Sequence, residues 1–279
     1  MIMRIEITTD AAEFRSRTES FLLRDPLRHT VITTSIASEV EGIQATDGSS
    51  RFLSLYADDA TVAGVAMRVH GRDVYLGELP AGSAPAVADA MADVAPENKG
   101  VEGLVADATA FAERWSARFD LEFQPSYTTR LYRLGALRIP DVAGKARRAT
   151  ESELPLCLEW AAAMHKDAGI PPTALDKAAI GKRVAAGMVW FWERDGRPAS
   201  FAAHQIPVSG WARIGLVYTP PQERGHGHAS AVTAHIAQVL RADCLDVCLF
   251  ADNANRTAGK IYQAIGFHPT HEFVHLEFG

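Results

Sequence analysis

The residues with the clearest chemical pattern run from Leu216 to Ala229, LVYTPPQERGHGHA. An apolar, strand-like run stops at Thr219-Pro220-Pro221. Arg224, Gly225, His226, Gly227, His228 and Ala229 follow, and SAVTAHIAQVL then reads as a helix. A strand that feeds a glycine-bearing loop into a helix N-terminus makes an anion site, because loop N–H groups and the helix dipole both favour negative charge. The glycines let a ligand approach the backbone closely. The chemistry is therefore phosphate binding. A P-loop is excluded, since no G-x-x-x-x-G-K-[ST] string is present. A dinucleotide fingerprint would need glycine where Ser230 stands, and hairpins precede this strand where a βαβ unit would be required. A plain glycine-containing strand-to-helix turn is the remaining alternative.

A second pattern follows at a suitable distance, from Asn255 to Phe267, N-R-T-A-G-K-I-Y-Q-A-I-G-F. The period of 3.6 residues predicts a helix with Ala258, Ile261, Tyr262 and Ile265 on one face. Gly266 is placed to end it. Asn255 also suits an ordinary turn.

The spacing R-x-x-G-x-A after V-Y-T-P, followed by N-x(6)-Y-x(3)-G-F, resembles the acyl-CoA site of the GNAT N-acetyltransferase superfamily. The resemblance covers residues 145–279 directly. It implies acetyl-CoA as co-substrate, without a metal, and transfer of the acetyl group to an amine acceptor, a small molecule in the simplest case. It implies that Leu216, Val217 and Tyr218 hold the pantetheine arm on a splayed strand. Arg224, Gly225, His226, Gly227, His228 and Ala229 would cradle the pyrophosphate, mainly through backbone N–H groups. Asn255 would touch the cofactor arm, and Tyr262 would protonate the leaving thiolate, a task a phenol of pKa near 10 can perform. The amine would attack the thioester directly, helped by positioning and by backbone donors for the oxyanion. Many relatives place a glutamate base on the strand before the loop, but WARIGLVY has no carboxylate. Glu193 and His204, on the two preceding strands, are the candidates for the base. The missing carboxylate keeps a second reading open, a non-catalytic acyl-CoA sensor, and a scaffold is a third.

The elements that must position these residues read as a degenerate repeat. ITTDAAEFRSRTESFLL gives strand, cap and helix, and ARRATESELPLCLEWAAAM restarts that order, with Thr150 and Glu153 as a capping box. Three strands follow in each half, with turn signals at Asp195-Gly196 and Ser209-Gly210 in the second. The stretch from Leu104 then aligns with that from Leu249. Such internal similarity implies two copies of one α/β (α+β) domain, each a mixed, mostly antiparallel sheet flanked by helices. The copies are assigned to residues 1–138 and 145–279. The first lacks the arginine and the R-x-x-G-x-A spacing, and Ser116 stands where Tyr262 is expected, so it reads as a degenerate GNAT-like copy.

Composition sets outer limits. The chain has 279 residues and is 47% hydrophobic, as expected of a globular protein. Its net charge of −6 comes from residues 1–140, and residues 141–279 are balanced. An acidic chain without a basic stripe is a poor nucleic-acid partner, and it suits a cationic amine. No long apolar run predicts a membrane span. Three cysteines without a C-x-x-C pair predict a reducing, cytoplasmic setting. His268, His271 and His275 lack the companions of a metal site. Trp190 and Trp192 are expected on one sheet face. A monomer or a homodimer is expected, since the repeat can supply within one chain the contact that single domains make as dimers.

Overall fold

A computed structural model describes residues 4–44, 48–170 and 175–279. The first half begins with β1 (Arg4–Thr8), α1 (Ala11–Leu22) and α2 (Thr30–Val40). Asp10 caps α1, its carboxylate accepting from Ala12 N and Glu13 N. The meander β2 (Arg51–Tyr56), β3 (Val62–Arg68) and β4 (Val74–Leu76) follows, and then α3 (Ala84–Val94), β5 (Gly100–Leu104), α4 (Val105–Phe119) and β6 (Phe123–Leu134).

The second half repeats this order. It comprises β7 (Lys145–Arg148), α5 (Leu154–Asp167), α6 (Lys177–Ala185), β8 (Val189–Arg194), β9 (Arg197–His204) and β10 (Trp211–Tyr218). It ends with α7 (His228–Ala242), β11 (Asp246–Asp252), α8 (Arg256–Ala264) and β12 (Phe267–Phe278). The Thr150–Glu153 capping box forms. Left-handed Asp195-Gly196 and Ser209-Gly210 turn the two hairpins, as their sequence demands.

All twelve strands join one sheet, in the order β1-β2-β3-β4-β5-β12-β6-β11-β10-β9-β8-β7. Among the described residues only β4–β5 and β10–β11 pair in parallel. Alternation along each strand sends side chains to two faces. Phe52, Tyr75, Leu131, Phe273 and Cys248 pack beneath α1 and α2, and Phe191, Phe201 and Ala203 beneath α5 and α6. The other face carries α3 and α4 on Leu53, Val74 and Val101, and α7 and α8 on Ile214, Leu249 and Phe267. The result is three layers, built twice.

The halves are not two closed sheets side by side, as the repeat alone suggests. Each gives its last strand to the other: β12 pairs with β5 of the first half, and β6 pairs with β11 of the second. The exchanged strands lie against each other at the centre of the sheet.

Candidate functional site

The site is built where β10 and β11 part. They pair only from Trp211↔Asp246 to Ile214↔Leu249, so Gly215–Tyr218 and Phe250–Asp252 diverge as the two arms of a V. On its other side β10 pairs Gly215 with Ala203 and Tyr218 with Phe201. Leu216 and Val217 therefore face Ala202 alone, which is a β-bulge. Leu216 adopts φ of 51°, a left-handed conformation that costs a non-glycine residue about 1–2 kcal/mol. The bulge turns backbone polar groups out of the ladder at the mouth of the V. Strain of this kind concentrates at functional sites.

Beyond Tyr218 the chain makes a short turn over Pro221–Glu223 and enters α7. Gly225 and Gly227 have φ of 81° and 80°, and Gly227 stands at the N-cap without a side-chain cap. The first bond that closes onto the helix runs from Ala231 N to Gly227 O. Among the described residues, no intramolecular acceptor is paired with the N–H groups of residues 225–230, which include those of His226, His228 and Ala229. They converge on the positive end of a fifteen-residue helix.

The Arg224 side chain acts as a strut. It donates to Thr219 O at 3.0 Å, pairs with Asp167 of α5 at 2.6 Å and lies over the Tyr218 ring. His228 is buried with its Nδ1 3.7 Å from Glu223, and burial lowers its pKa. The His226 and His228 rings stack. A cavity of about 300 Å³ beside this turn is lined by Arg194, Arg197 and Glu223. Asp195 also lines it and pairs with Arg194 at 3.5 Å, so two arginines stand there beside two carboxylates; these arginines were not singled out from the sequence. The R-x-x-R spacing astride the Asp195-Gly196 turn is the signal that marks them.

On the opposite arm, Asn255 caps α8, its Oδ1 accepting from Ala258 N at 3.0 Å. Ala258, Ile261, Tyr262 and Ile265 all face the sheet core, and Gly266, with φ of 106°, ends the helix. Tyr262 is buried against Tyr132 and Phe267. Burial, reinforced by Tyr132, pushes its pKa up to about 12.

The two candidate bases part company. His204 pairs with Ile214, which pairs with Leu249, so His204 lies in the row at which the V begins. Its Nδ1 is 2.9 Å from Gln205 O, which fixes the proton on Nδ1 and leaves Nε2 as an acceptor. Burial lowers its pKa, aided by Arg148 and Arg183 and opposed by the Gln205 carbonyl. Glu193 instead pairs with Pro198 and Lys145, two strands away from β10 and beside the Asp195-Gly196 turn. Arg147 binds its carboxylate at 2.6 Å and Lys145 lies at 3.5 Å, so its pKa is lowered, chiefly by Arg147. The structure does not bring Glu193 to the V. Trp190 and Trp192 share one face, as alternation requires, and serve the core. No group of three or more His, Cys, Asp or Glu side chains suited to a metal occurs among the described residues.

This geometry defines a class. Full-length similarity is found to an acetyltransferase of the GNAT family from Colwellia psychrerythraea, at 15% identity and a TM-score of 0.63, covering 99% of this chain and 100% of that one. A GCN5-related N-acetyltransferase from Sphaerobacter thermophilus matches at 18% identity and 0.61, with 99% and 95% covered. A tandem GNAT protein from the clavulanic acid biosynthesis pathway matches at 11% and 0.58, with 99% and 98% covered. The chain has the GNAT fold throughout its length. Residues 194–275, which hold the V and the α7 loop, match the family model of FR47-like proteins. No curated protein sequence matches the chain.

Proposed function

We propose that the protein transfers an acetyl group from acetyl-CoA to the amine of an acceptor, a small molecule, by direct attack on the thioester. The observation that carries this reading is the V between β10 and β11, opening beside a strained bulge and ending at the uncapped N-terminus of α7. An extended pantetheine arm would pair along Leu216, Val217 and Tyr218. The pyrophosphate would take the N–H groups of residues 225–230, with Arg224 holding the loop in shape. Asn255 keeps its amide nitrogen for the cofactor arm while its oxygen caps α8. His204, neutral near pH 7 with a free Nε2, receives the proton from the amine through the mouth of the V, since its register with Ile214 sets it on the sheet face of α7 and α8. A phenol at pKa about 12 would yield its proton to an alkyl thiolate of pKa about 8.5 only uphill, by roughly 5 kcal/mol. Tyr262 therefore serves the leaving thiolate as a hydrogen-bond donor.

We assign these roles to residues 145–279 and read residues 1–138 as the copy without a cofactor site. One feature supports that division. The first half closes its corresponding loop tightly, with Ser83 N and Oγ both bonded to Pro80 O. Neither nucleic acid nor membrane is part of this reading. Among the described residues no helix is long and apolar enough to cross a membrane. Titration calorimetry with acetyl-CoA tests the proposal, with wild type beside Arg224→Ala and Gly227→Trp. One site per chain, weakened by both changes, is the expected result. Two sites would remove the assignment of the first half, and no binding would remove the acetyltransferase reading. Tight binding without turnover on a broad amine panel would favour the sensor.

A further inference from the structure

A row of polar and aromatic side chains crosses the sheet face that carries α1, α2, α5 and α6, beginning beside the V; its middle, Phe273 and Tyr75, lies buried beneath α1 and α2. Arg213 precedes the last paired residue of β10. Its guanidinium lies over Phe250, the first residue of β11 beyond the paired segment, with Cζ 5.8 Å from the ring centroid. Phe250 meets Phe273 at 5.5 Å, and Phe273 stacks on Tyr75 at 6.0 Å. Tyr75 pairs with Glu102 across β4 and β5, Glu102 with His275, and His275 with Tyr127. The Tyr127 hydroxyl donates to Glu102 at 3.2 Å, and His275 meets Asp73 at 2.9 Å. One continuous floor thus links an arginine of the second half to a carboxylate of the first.

At the far end of this floor His275 pairs with Asp73, but the cations at its Arg213 end have no such counter-ion among the described residues. Among the described residues Arg213 has a single hydrogen bond, to Thr34 of α2 at 2.8 Å. Neither Arg213 nor Arg183, its neighbour on α6, forms an ion pair among the described residues. The two guanidiniums work against each other: desolvation, followed by the charge of Arg213, pulls Arg183 down to about 10. Glu102 lies within the electrostatic reach of Arg213 yet makes no salt bridge to it. The buried Tyr75 hydroxyl and Thr129 Oγ1, on the same face, have no partner among the described residues. Buried polar groups are normally satisfied, and uncompensated buried charge is costly.

We propose that this row lines the acceptor site and that the site takes an amine carrying a nearby carboxylate, as in an α-amino acid, with Arg213 and Arg183 reading the carboxylate and Glu102 and Tyr127 the far polar end. This rests on the acetyl-transfer reading. The arginine fork matches a carboxylate bidentately. Arg213 stands two residues, about 7 Å, before Gly215 on β10, so a carboxylate at its guanidinium keeps the amine of a compact acceptor beside the bulge. The far end then extends over Phe250 toward Glu102, which only the first half supplies.

The test uses the full chain and a panel of the common α-amino acids, each beside its α-carboxamide. Binding is read by thermal shift with CoA present, and transfer by thiol release from acetyl-CoA. At least one amino acid should stabilise the protein and accept the acetyl group while its carboxamide does neither. Arg213→Gln should weaken that binding about 10- to 100-fold, the worth of a charge-assisted hydrogen bond, and Arg213→Lys less. CoA titration of each variant shows that it is folded. Equal response to acid and amide, or no response to any amino acid, in a protein that binds CoA overturns the proposal. Selective binding of acids without binding of acetyl-CoA would instead remove the acetyltransferase reading and leave the carboxylate site standing.

Discussion

Leu216 gives the sharpest test of the view that backbone strain is held at the site. Its φ of 51° costs an L-residue about 1–2 kcal/mol, which glycine does not incur. Glycine carries its own cost against alanine, about 0.5–1 kcal/mol in a strand. Comparing Leu216→Gly with Leu216→Ala cancels the lost side-chain packing, because both variants remove it. The difference leaves glycine more stable than alanine by roughly 0.5–1 kcal/mol. Val217, the next residue of the bulge, is not left-handed, so there the order should reverse, with Val217→Ala more stable by roughly 0.5–1 kcal/mol. Urea unfolding of the four variants at one pH resolves such differences, provided the slopes agree. If the bulge holds backbone donors toward the oxyanion of the proposed acetyl transfer, the same glycine should free them and slow that transfer at least about tenfold. Alanine as stable as glycine at position 216, or the same order at both positions, would refute the argument and leave the bulge without stored strain.

Four further outcomes follow from the same geometry. Tyr262→Phe removes a hydrogen bond to the departing thiolate and should lower kcat about 10- to 100-fold with little change in KM for acetyl-CoA, measured by thiol release. Glu193→Gln should leave the rate within about twofold, because Arg147 and Lys145 already occupy that carboxylate. His204→Asn should remove the acidic limb of the pH–rate profile, a limb that in wild type falls below the usual histidine pKa of about 6.5. Stability should also fall in acid. His29, His165, His204, His228 and His235 all have pKa values lowered by burial. Their neutral forms fit the fold, so this stability is complete above about pH 6.5 and is lost as pH falls through their folded values. Urea unfolding at about pH 7.5 and about pH 5.5 should show that loss, and a flat profile would contradict it.

The motifs of the site were legible in the sequence because backbone chemistry writes them. Gly225, Gly227 and Gly266 occupy left-handed positions that sequence spacing alone can flag. Asp195-Gly196 and Thr150–Glu153 announced their own turns and caps. The choice between Glu193 and His204 was not legible. It depends on which residue shares a row with the end of the β10–β11 ladder and on a salt bridge from Arg147, both facts of register and packing. Glu102 was harder still. It lies in the half without the acyl-CoA motif, and only tertiary structure brings it to the same face as Arg213. The one sequence trace of that face is a lone arginine in the apolar strand WARIGLVY.

The exchange of last strands was invisible for a different reason. Either pairing, β6 with β5 or β6 with β11, satisfies the same alternating pattern, so local sequence cannot choose between them. The exchange makes a physical demand on the two halves. Cut from the rest, residues 145–279 would lose β6, and β11 would present an open edge at the middle of its sheet. A protease site inserted between Pro140 and Asp141, in the exposed connection, should yield a nicked protein that migrates as one species, held by eleven register pairs between β6 and β12. Residues 145–279 expressed alone should aggregate, and addition of residues 1–138 during refolding should rescue them. A monodisperse, folded fragment 145–279 would show that β6 is dispensable. Its own β12 would then have to pair with β11, which is the unexchanged sheet that the repeat in sequence first suggests.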